Sequence, residues 1–153
     1  MSKIVSKIKE KKITLDEYIN LSLYKDKNSY YEKNKIFGVR GDYITSPYIS
    51  SIFGEIISIY ILNFFLNKGV SKFNILEIGA GEGLMAKDII NTLKKFEKIN
   101  FKYSILEKSK NLKNLQKKKL KNFDVSWIHS LKNQNIKNLF IISNELLDAF
   151  PVK

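Results

Sequence analysis

Glycines alternate through LEIGAGEG, Leu76 to Gly83, with single residues separating Gly79, Gly81 and Gly83. Glycine takes left-handed backbone conformations at little cost and has no Cβ, so such a loop turns tightly and lets a ligand rest on bare main chain. A dinucleotide loop of the GxGxxG kind needs glycine at 84, where Leu84 stands. The spacing is instead GxGxG, with Glu77 two residues before the first glycine and Glu82 inside the loop. Carboxylates so placed repel a pyrophosphate and suit a cationic ligand, such as a sulfonium that also carries an ammonium group. Taken alone, the triplet can also be a tight turn. Glu107, 28 residues after Gly79, ends an apolar run. An acid at that place in a βαβ unit accepts both ribose hydroxyls; by itself it is also readable as a solvated acid beside Lys108. Loop, helix, strand and acid in register point to an adenosine-containing ligand.

Those residues need a sheet to carry them, and the apolar spacing supplies one. FNILEIG from Phe73, FKYSILE from Phe101 to Glu107, DVSWIHS from Asp124 and NLFIISNE from Asn138 read as four strands. Between them, Leu84 to Phe96 and the Lys-rich Asn111 to Lys121 have helical spacing, the second with Leu112, Leu115 and Leu120 on one face. Strand and helix alternating over short loops predict an α/β fold with a parallel sheet of about four strands. An N-terminal helical and irregular segment precedes it. Thr14 to Leu23 reads as a short helix, with Thr14 as cap and Glu17 three residues on. Tyr24 to Tyr48 is irregular, and Ser46-Pro47 opens a long helix to about Asn67, ended by Gly69. The 11 residues of its greasiest part, Ile56 to Leu66, are too few to span a bilayer and predict a buried helix. The expected division is a helical segment and lid over 1–70 and a Rossmann-like domain over 71–153.

With 153 residues and 44% hydrophobic composition, the chain can bury one domain's core. Lys plus Arg number 27 against 15 acids, a net charge of +12. That balance raises a nucleic-acid reading, but Lys, Ile and Asn dominate everywhere, so a compositional origin is the stronger explanation. The absence of cysteine excludes disulfides and thiolate metal sites, and with His129 as the one histidine no metal is expected. The N-terminus has no apolar h-region and carries Glu10 and Asp16, which argues against a secretory signal or transit peptide, so the expected compartment is the cytoplasm.

The chain resembles the MidA-type class I methyltransferases, the family that includes mitochondrial complex I assembly factors. Five segments carry the resemblance in order: LSLYKDKNSYYEK (Leu21 to Lys33), FGVRGDYITSPYISSIFGE (Phe37 to Glu55), LEIGAGEG, ILEKSKNLKNLQ (Ile105 to Gln116) and SNELLDAFPVK (Ser143 to Lys153). It departs from the family's pattern at Ser29, usually glycine, and at Tyr48, usually glutamate. The resemblance implies a Rossmann-like fold, S-adenosylmethionine as cofactor and methyl donor, and a protein side chain as acceptor. In one mitochondrial branch that acceptor is arginine on a complex I subunit. It also implies that Gly41, Asp42 and Thr45 form a lid over the cofactor, although Arg40-Gly41-Asp42 read alone is a turn.

Ligands of open α/β sheets sit at the carboxyl ends of the strands. The expected cofactor site is therefore Glu77, Gly79, Ala80, Gly81, Gly83 and Glu107, joined by Gly41, Asp42 and Thr45 from the lid. His129 and Ser130, ending the third strand, could border adenine or simply be exposed loop residues. Asn144 and Glu145, ending the fourth, are the expected catalytic pair: they could orient an acceptor nitrogen, accept its proton or pair with a guanidinium. The same NELLDAFP stretch also reads as a capped helix start. Tyr24, Tyr30 and Tyr31 could line an acceptor channel or pack in the core. Alternatives are a nucleic-acid-binding protein or RNA methyltransferase, and a non-catalytic assembly factor. Because the resemblance implies more than four strands, the chain is expected to be a fragment, one half of a split enzyme or a non-catalytic remnant, with a C-terminal half or partner missing in the first two cases. On that expectation the fourth strand is an uncovered edge and the chain alone is marginally stable and inactive.

Overall fold

The computed structural model describes residues 13–25, 29–32, 36, 38, 41–132 and 136–151. Arg40 and the termini 1–12 and 152–153, parts of the sequence reading above, lie outside them. Four strands, β1 (Lys72–Ile78), β2 (Asn100–Leu106), β3 (Val125–Ile128) and β4 (Leu139–Ile142), form one parallel sheet in the order β3-β2-β1-β4. Successive side chains on a strand point to opposite faces. Phe73, Ile75, Tyr103 and Ile105 share the face that is sealed from water, with Phe140, Ile142 and Trp127 packed at its borders. Lys102 and Ser126 on the other face are exposed.

Among the described residues, five α-helices precede or connect the strands: α1 (Leu15–Leu23), α2 (Ser46–Ile49), α3 (Ile52–Leu66), α4 (Leu84–Leu93) and α5 (Lys110–Lys119). Met85, Ala86, Ile89, Ile90 and Leu93 of α4 and Ile61, Leu62 and Phe65 of α3 close the core over β1 and β2. Phe65 stacks on Phe73 with ring centroids 4.4 Å apart. α5 starts one residue earlier than its apolar spacing suggests, because Ser109 caps it by accepting from Leu112 N–H at 3.2 Å.

Two helical expectations are corrected. The long helix from Ser46 to Asn67 is broken at Ser50, whose backbone is extended and whose hydroxyl accepts from Ile52 N–H at 3.1 Å. Serine side chains offer the backbone a local alternative to helical bonding, and here that alternative splits α2 from α3. Nor is α3 buried all round. Gly54, Ser58, Ile61, Leu62 and Phe65 face inward, while Ile56 is 62% exposed and Tyr60 63%. No helix among the described residues is long and apolar enough to cross a membrane. β4 forms the sheet edge, with Ile141 54% exposed.

The α3–α4 crossing is close because Gly54 lacks a side chain. A Cβ there would lie 2.6 Å from Asp88 Cβ and 3.4 Å from the Met85 carbonyl oxygen. Gly54→Val is therefore expected to cost about 1–3 kcal/mol of stability through overpacking. Thermal unfolding followed by circular dichroism checks this; an unchanged Tm would refute the close crossing.

Candidate functional site

Strand register brings the ends of three strands together. Ile78 pairs with Leu106, so Gly79 and Glu107 leave β1 and β2 side by side; Glu77 pairs with Ile142, which brings Asn144 level with Gly79. A cleft opens at these carboxyl ends. Its walls include Thr45, Glu77, Gly79, Ala80, Gly81, Glu107, Asn144 and Glu145, residues that lie up to 100 positions apart in sequence. Tyr24 and Tyr31 also line it.

Other expected residues lie elsewhere. Gly83 stands behind the loop in the left-handed conformation (φ 84°) as the N-cap of α4, close to Leu120 and Gln116. Gly41 and Asp42 do not line the cleft: Gly41 N–H donates to the Gly38 carbonyl, and Asp42 Oδ2 accepts from the Tyr30 hydroxyl at 2.7 Å. His129 and Ser130 are exposed and outside the cleft wall. NELLDAFP forms only a short 3-10 turn, Leu147–Ala149, rather than an α-helix start. Before it, Glu145 is held at φ 48°, a left-handed conformation that costs a residue with a Cβ about 1 kcal/mol or more.

The loop itself is three left-handed glycines, with φ of 70° at Gly79, 53° at Gly81 and 84° at Gly83. Gly79 N–H donates to the Leu106 carbonyl at 3.0 Å, which ties the loop to β2. A Cβ on Gly79 would meet Leu146 Cδ1 at 2.6 Å, so the chain after β4 packs directly onto the loop.

Glu77 and Glu107 are both largely buried, so the alternative of Glu107 as a solvated acid beside Lys108 does not hold. Glu77 is 1% exposed, at the third inward position of β1 after Phe73 and Ile75, and its Oε2 accepts from the Tyr103 hydroxyl at 2.7 Å. Burial pushes its carboxyl up to about 7, Tyr103 pulls it back, and Glu107 adds to the rise. Burial also raises Glu107 above the usual carboxylate range, opposed by donors from Ser109, Gln116 and Lys108. Ser109 N–H donates to Glu107 Oε1 at 2.9 Å and Gln116 Nε2 to its Oε2 at 3.0 Å. Glu82 pairs with Lys119 at 2.9 Å.

Sequence reasoning missed Gln116 and Tyr48. Gln116 is wholly buried, and its signal was a polar residue in the stripe Leu112–Gln116–Leu120 of α5. Tyr48 lines the cleft with its ring against Gly38, and no spacing rule marks it. Ser29, the other departure from the family's pattern, is buried with a hydroxyl that has no hydrogen-bond partner among the described residues.

The chain is similar to known methyltransferases in both sequence and fold. A family model for S-adenosyl-L-methionine-dependent methyltransferases matches residues 56–153. The mitochondrial protein arginine methyltransferase NDUFAF7 homolog of Caenorhabditis elegans is 28% identical over 92% of this chain and 39% of its own length. The Drosophila melanogaster homolog is 38% identical over 56% of this chain and 20% of its own. Human NDUFAF7 is 27% identical over 92% and 38%. The chain thus spans about two fifths or less of the length of these relatives. Among solved structures, a COG1565 superfamily member from Burkholderia thailandensis bound to S-adenosyl-homocysteine superposes with a TM-score of 0.78. It is 24% identical and covers 91% of this chain and 38% of that one. The fold is therefore the expected Rossmann-like methyltransferase fold. The cytoplasmic expectation is corrected, because the named relatives are mitochondrial proteins. That expectation weighed acids against a transit peptide, and two carboxylates near an N-terminus do not determine a compartment.

The buried Glu77 carboxyl makes stability depend on pH. Its folded value of about 7 exceeds its ordinary 4.5, so the folded protein holds a proton that the unfolded chain releases between those pH values. Stability is therefore lost as pH rises from about 4.5 to about 7, to a total of about 3 kcal/mol. Glu77→Gln removes this dependence, so the variant's Tm relative to the parent should climb from pH 5 to pH 8. A difference that stays flat would exclude the buried titration.

Proposed function

The chain belongs to the family of S-adenosyl-L-methionine-dependent methyltransferases, and from that premise we propose that it holds S-adenosylmethionine in the cleft between Gly79, Glu107 and Asn144. In this reading the protein transfers the methyl group to a protein side chain. Arginine is the acceptor we favour, from the names of the NDUFAF7 relatives. The single observation that carries the proposal is the union of the left-handed glycine loop with the Glu107 carboxylate at adjoining strand ends.

The residues present fit that cofactor. Both Glu107 oxygens are held by neutral donors, which leaves their charge and remaining lone pairs for two vicinal ribose hydroxyls. Glu77 lies beneath the loop, where a cationic group would draw its carboxyl toward the ionised form. When bound, S-adenosylmethionine supplies a methyl group on a sulfonium, open to in-line displacement. The protein's part is then position and proton handling. Asn144 orients the acceptor nitrogen, and the exposed Glu145 carboxylate pairs with the guanidinium and accepts the proton that nitrogen gives up. Tyr24, Tyr31 and Thr45 on the cleft wall supply the cover.

Part of the +12 charge is engaged within the protein itself, which weighs against the nucleic-acid alternative. Lys68, Lys94, Lys108 and Lys117 each lie over an aromatic ring, at 4.1–5.8 Å from its centroid, and Lys119 is paired with Glu82. Cations engaged with the protein's own rings do not make a phosphate-tracking stripe.

Isothermal titration with S-adenosylmethionine tests the binding half. Affinity is expected to fall by about tenfold or more in Glu107→Ala, by loss of charge-assisted hydrogen bonds. It should vanish in Gly81→Val, where a β-branched side chain cannot take φ 53°. Equal affinity in all three proteins would remove the site from the cleft. For the chemical half, Glu145→Gln should lower methyl incorporation into an arginine-containing substrate by about 10²-fold or more, with cofactor affinity kept. An unaltered rate would strike Glu145 from the reaction.

A further inference from the structure

We propose that Gln116 is the positioning residue of this site, a neutral clamp that fixes the Glu107 carboxylate and the glycine loop in the geometry that reads ribose hydroxyls. The inference rests on the cofactor reading above and names what sets its sugar selectivity. Gln116 lies in α5, 0% exposed, between Leu112 and Leu120 of the same face. A buried amide in such a stripe is costly unless its hydrogen-bonding groups are satisfied. Here both amide hydrogens and the oxygen are used. Nε2 donates to the Gly81 carbonyl at 2.8 Å and to Glu107 Oε2 at 3.0 Å, while Oε1 accepts from Trp127 Nε1 at 2.9 Å.

The direction of this chain is set by chemistry. An indole N–H only donates, so Trp127 on β3 must face the amide oxygen, which turns the amide nitrogen toward Gly81 and Glu107. Both of those atoms are acceptors, so the opposite amide orientation would leave three contacts unmade. Gln116 thereby joins β3, the loop after β1 and the acid after β2, the three elements whose relative placement defines the ribose position. With Ser109 N–H on Oε1 and Gln116 on Oε2, the plane of the carboxylate is fixed. A lysine or arginine in the same place would neutralise Glu107, whereas an amide orients it and leaves its charge available.

A merely structural glutamine and a positioning one differ in what they do to selectivity. Affinities for S-adenosylhomocysteine and for its 2′-deoxyribose counterpart are to be measured by isothermal titration on the parent chain and on Gln116→Met. The parent is expected to prefer the ribose ligand by about tenfold. In Gln116→Met that ratio should collapse to within about twofold of unity, as Glu107 loses its fixed plane. Weakening of both ligands by the same factor, with the ratio kept, would make Gln116 structural only and overturn the proposal. Gln116→Glu keeps the volume and an acceptor for Trp127 but replaces the donors, so it decides the question should the methionine variant not fold. Its preference should be lost at pH 8, where two carboxylates repel, and partly regained at pH 5.5, where a shared proton restores a donor. A parent-like ratio at both pH values would equally overturn the proposal. If the parent chain binds neither ligand, the cofactor reading itself falls and takes this inference with it; parent discrimination that survives in the variants removes only the role of Gln116.

Discussion

Between Ile78 and Leu84 the chain must stop being a central strand and become a helix packed on the same sheet, and it has five residues in which to do so. Three of the five, Gly79, Gly81 and Gly83, are left-handed. Residues with side chains resist that conformation by about 1–2 kcal/mol each, so the turn is confined to glycine. What holds it is distributed over the rest of the fold. β2 accepts from Gly79 through the Leu106 carbonyl, α5 donates to Gly81 through Gln116, and the segment after β4 lays Leu146 on Gly79. Loss of register at any strand end would free one of those three, which is why the parallel pairing and the site are a single constraint.

The same economy governs charge. Taking a carboxylate out of water costs several kcal/mol, and opposing it with a buried cation would recover much of that but cancel the charge. At this cleft the buried acids are met by neutral donors instead: the Tyr103 hydroxyl on Glu77, and the Ser109 N–H and Gln116 amide on Glu107. Hydrogen bonds to a charged group contribute roughly 1.5–3 kcal/mol each, so they offset part of the desolvation and leave the remainder as a tendency to hold protons. That remainder appears as the raised carboxyls of Glu77 and Glu107. The lysine near the loop, Lys119, is directed at the outer acid Glu82 and leaves the inner two unneutralised.

Features set by a few consecutive residues were legible in the sequence. β1, the loop, α4 and β2 each follow from local period or glycine spacing, and Glu107 follows from where β2 must end. Features set by competition or by distant partners were not. The break at Ser50 arises because a serine hydroxyl competes for Ile52 N–H, which periodicity does not register. Burial of Glu77 depends on which face of β1 meets α4, and its partner Tyr103 is 26 residues away. Gln116 looked like a polar helical residue because its three partners come from the loop, the end of β2 and β3. The mixed exposure of α3 was hidden because a helix apolar on every side does not declare its inner face. Gly41 and Asp42, carried over by resemblance, stand one layer out from the cleft, where Asp42 holds Tyr30.

The cover of the cleft is held by a different kind of interaction from its floor. Tyr24 donates its hydroxyl to the Ala149 carbonyl, the Tyr31 carbonyl accepts from Ser109 Oγ, and Glu32 accepts from Lys110 N–H at 3.2 Å. Tyr24 and Tyr31 stack on each other at 5.4 Å, and Lys108 sits over Tyr24. The segment therefore bridges the chain after β2 and the chain after β4, across the space between them. Each of these bonds is exchangeable with water at a net cost of about 1 kcal/mol, so together they hold the bridge by only a few. The floor beneath it is anchored by the sheet ladder, the glycine turn and wholly buried side chains, whose disruption would approach the cost of unfolding the domain. Release of the tyrosine bridge with the loop intact would break these few contacts and leave the sheet ladder unbroken. The bridge and the strand ends thus differ in what anchors them: a few polar contacts and one ring stack above, the sheet ladder and the Gly79–Leu106 bond below.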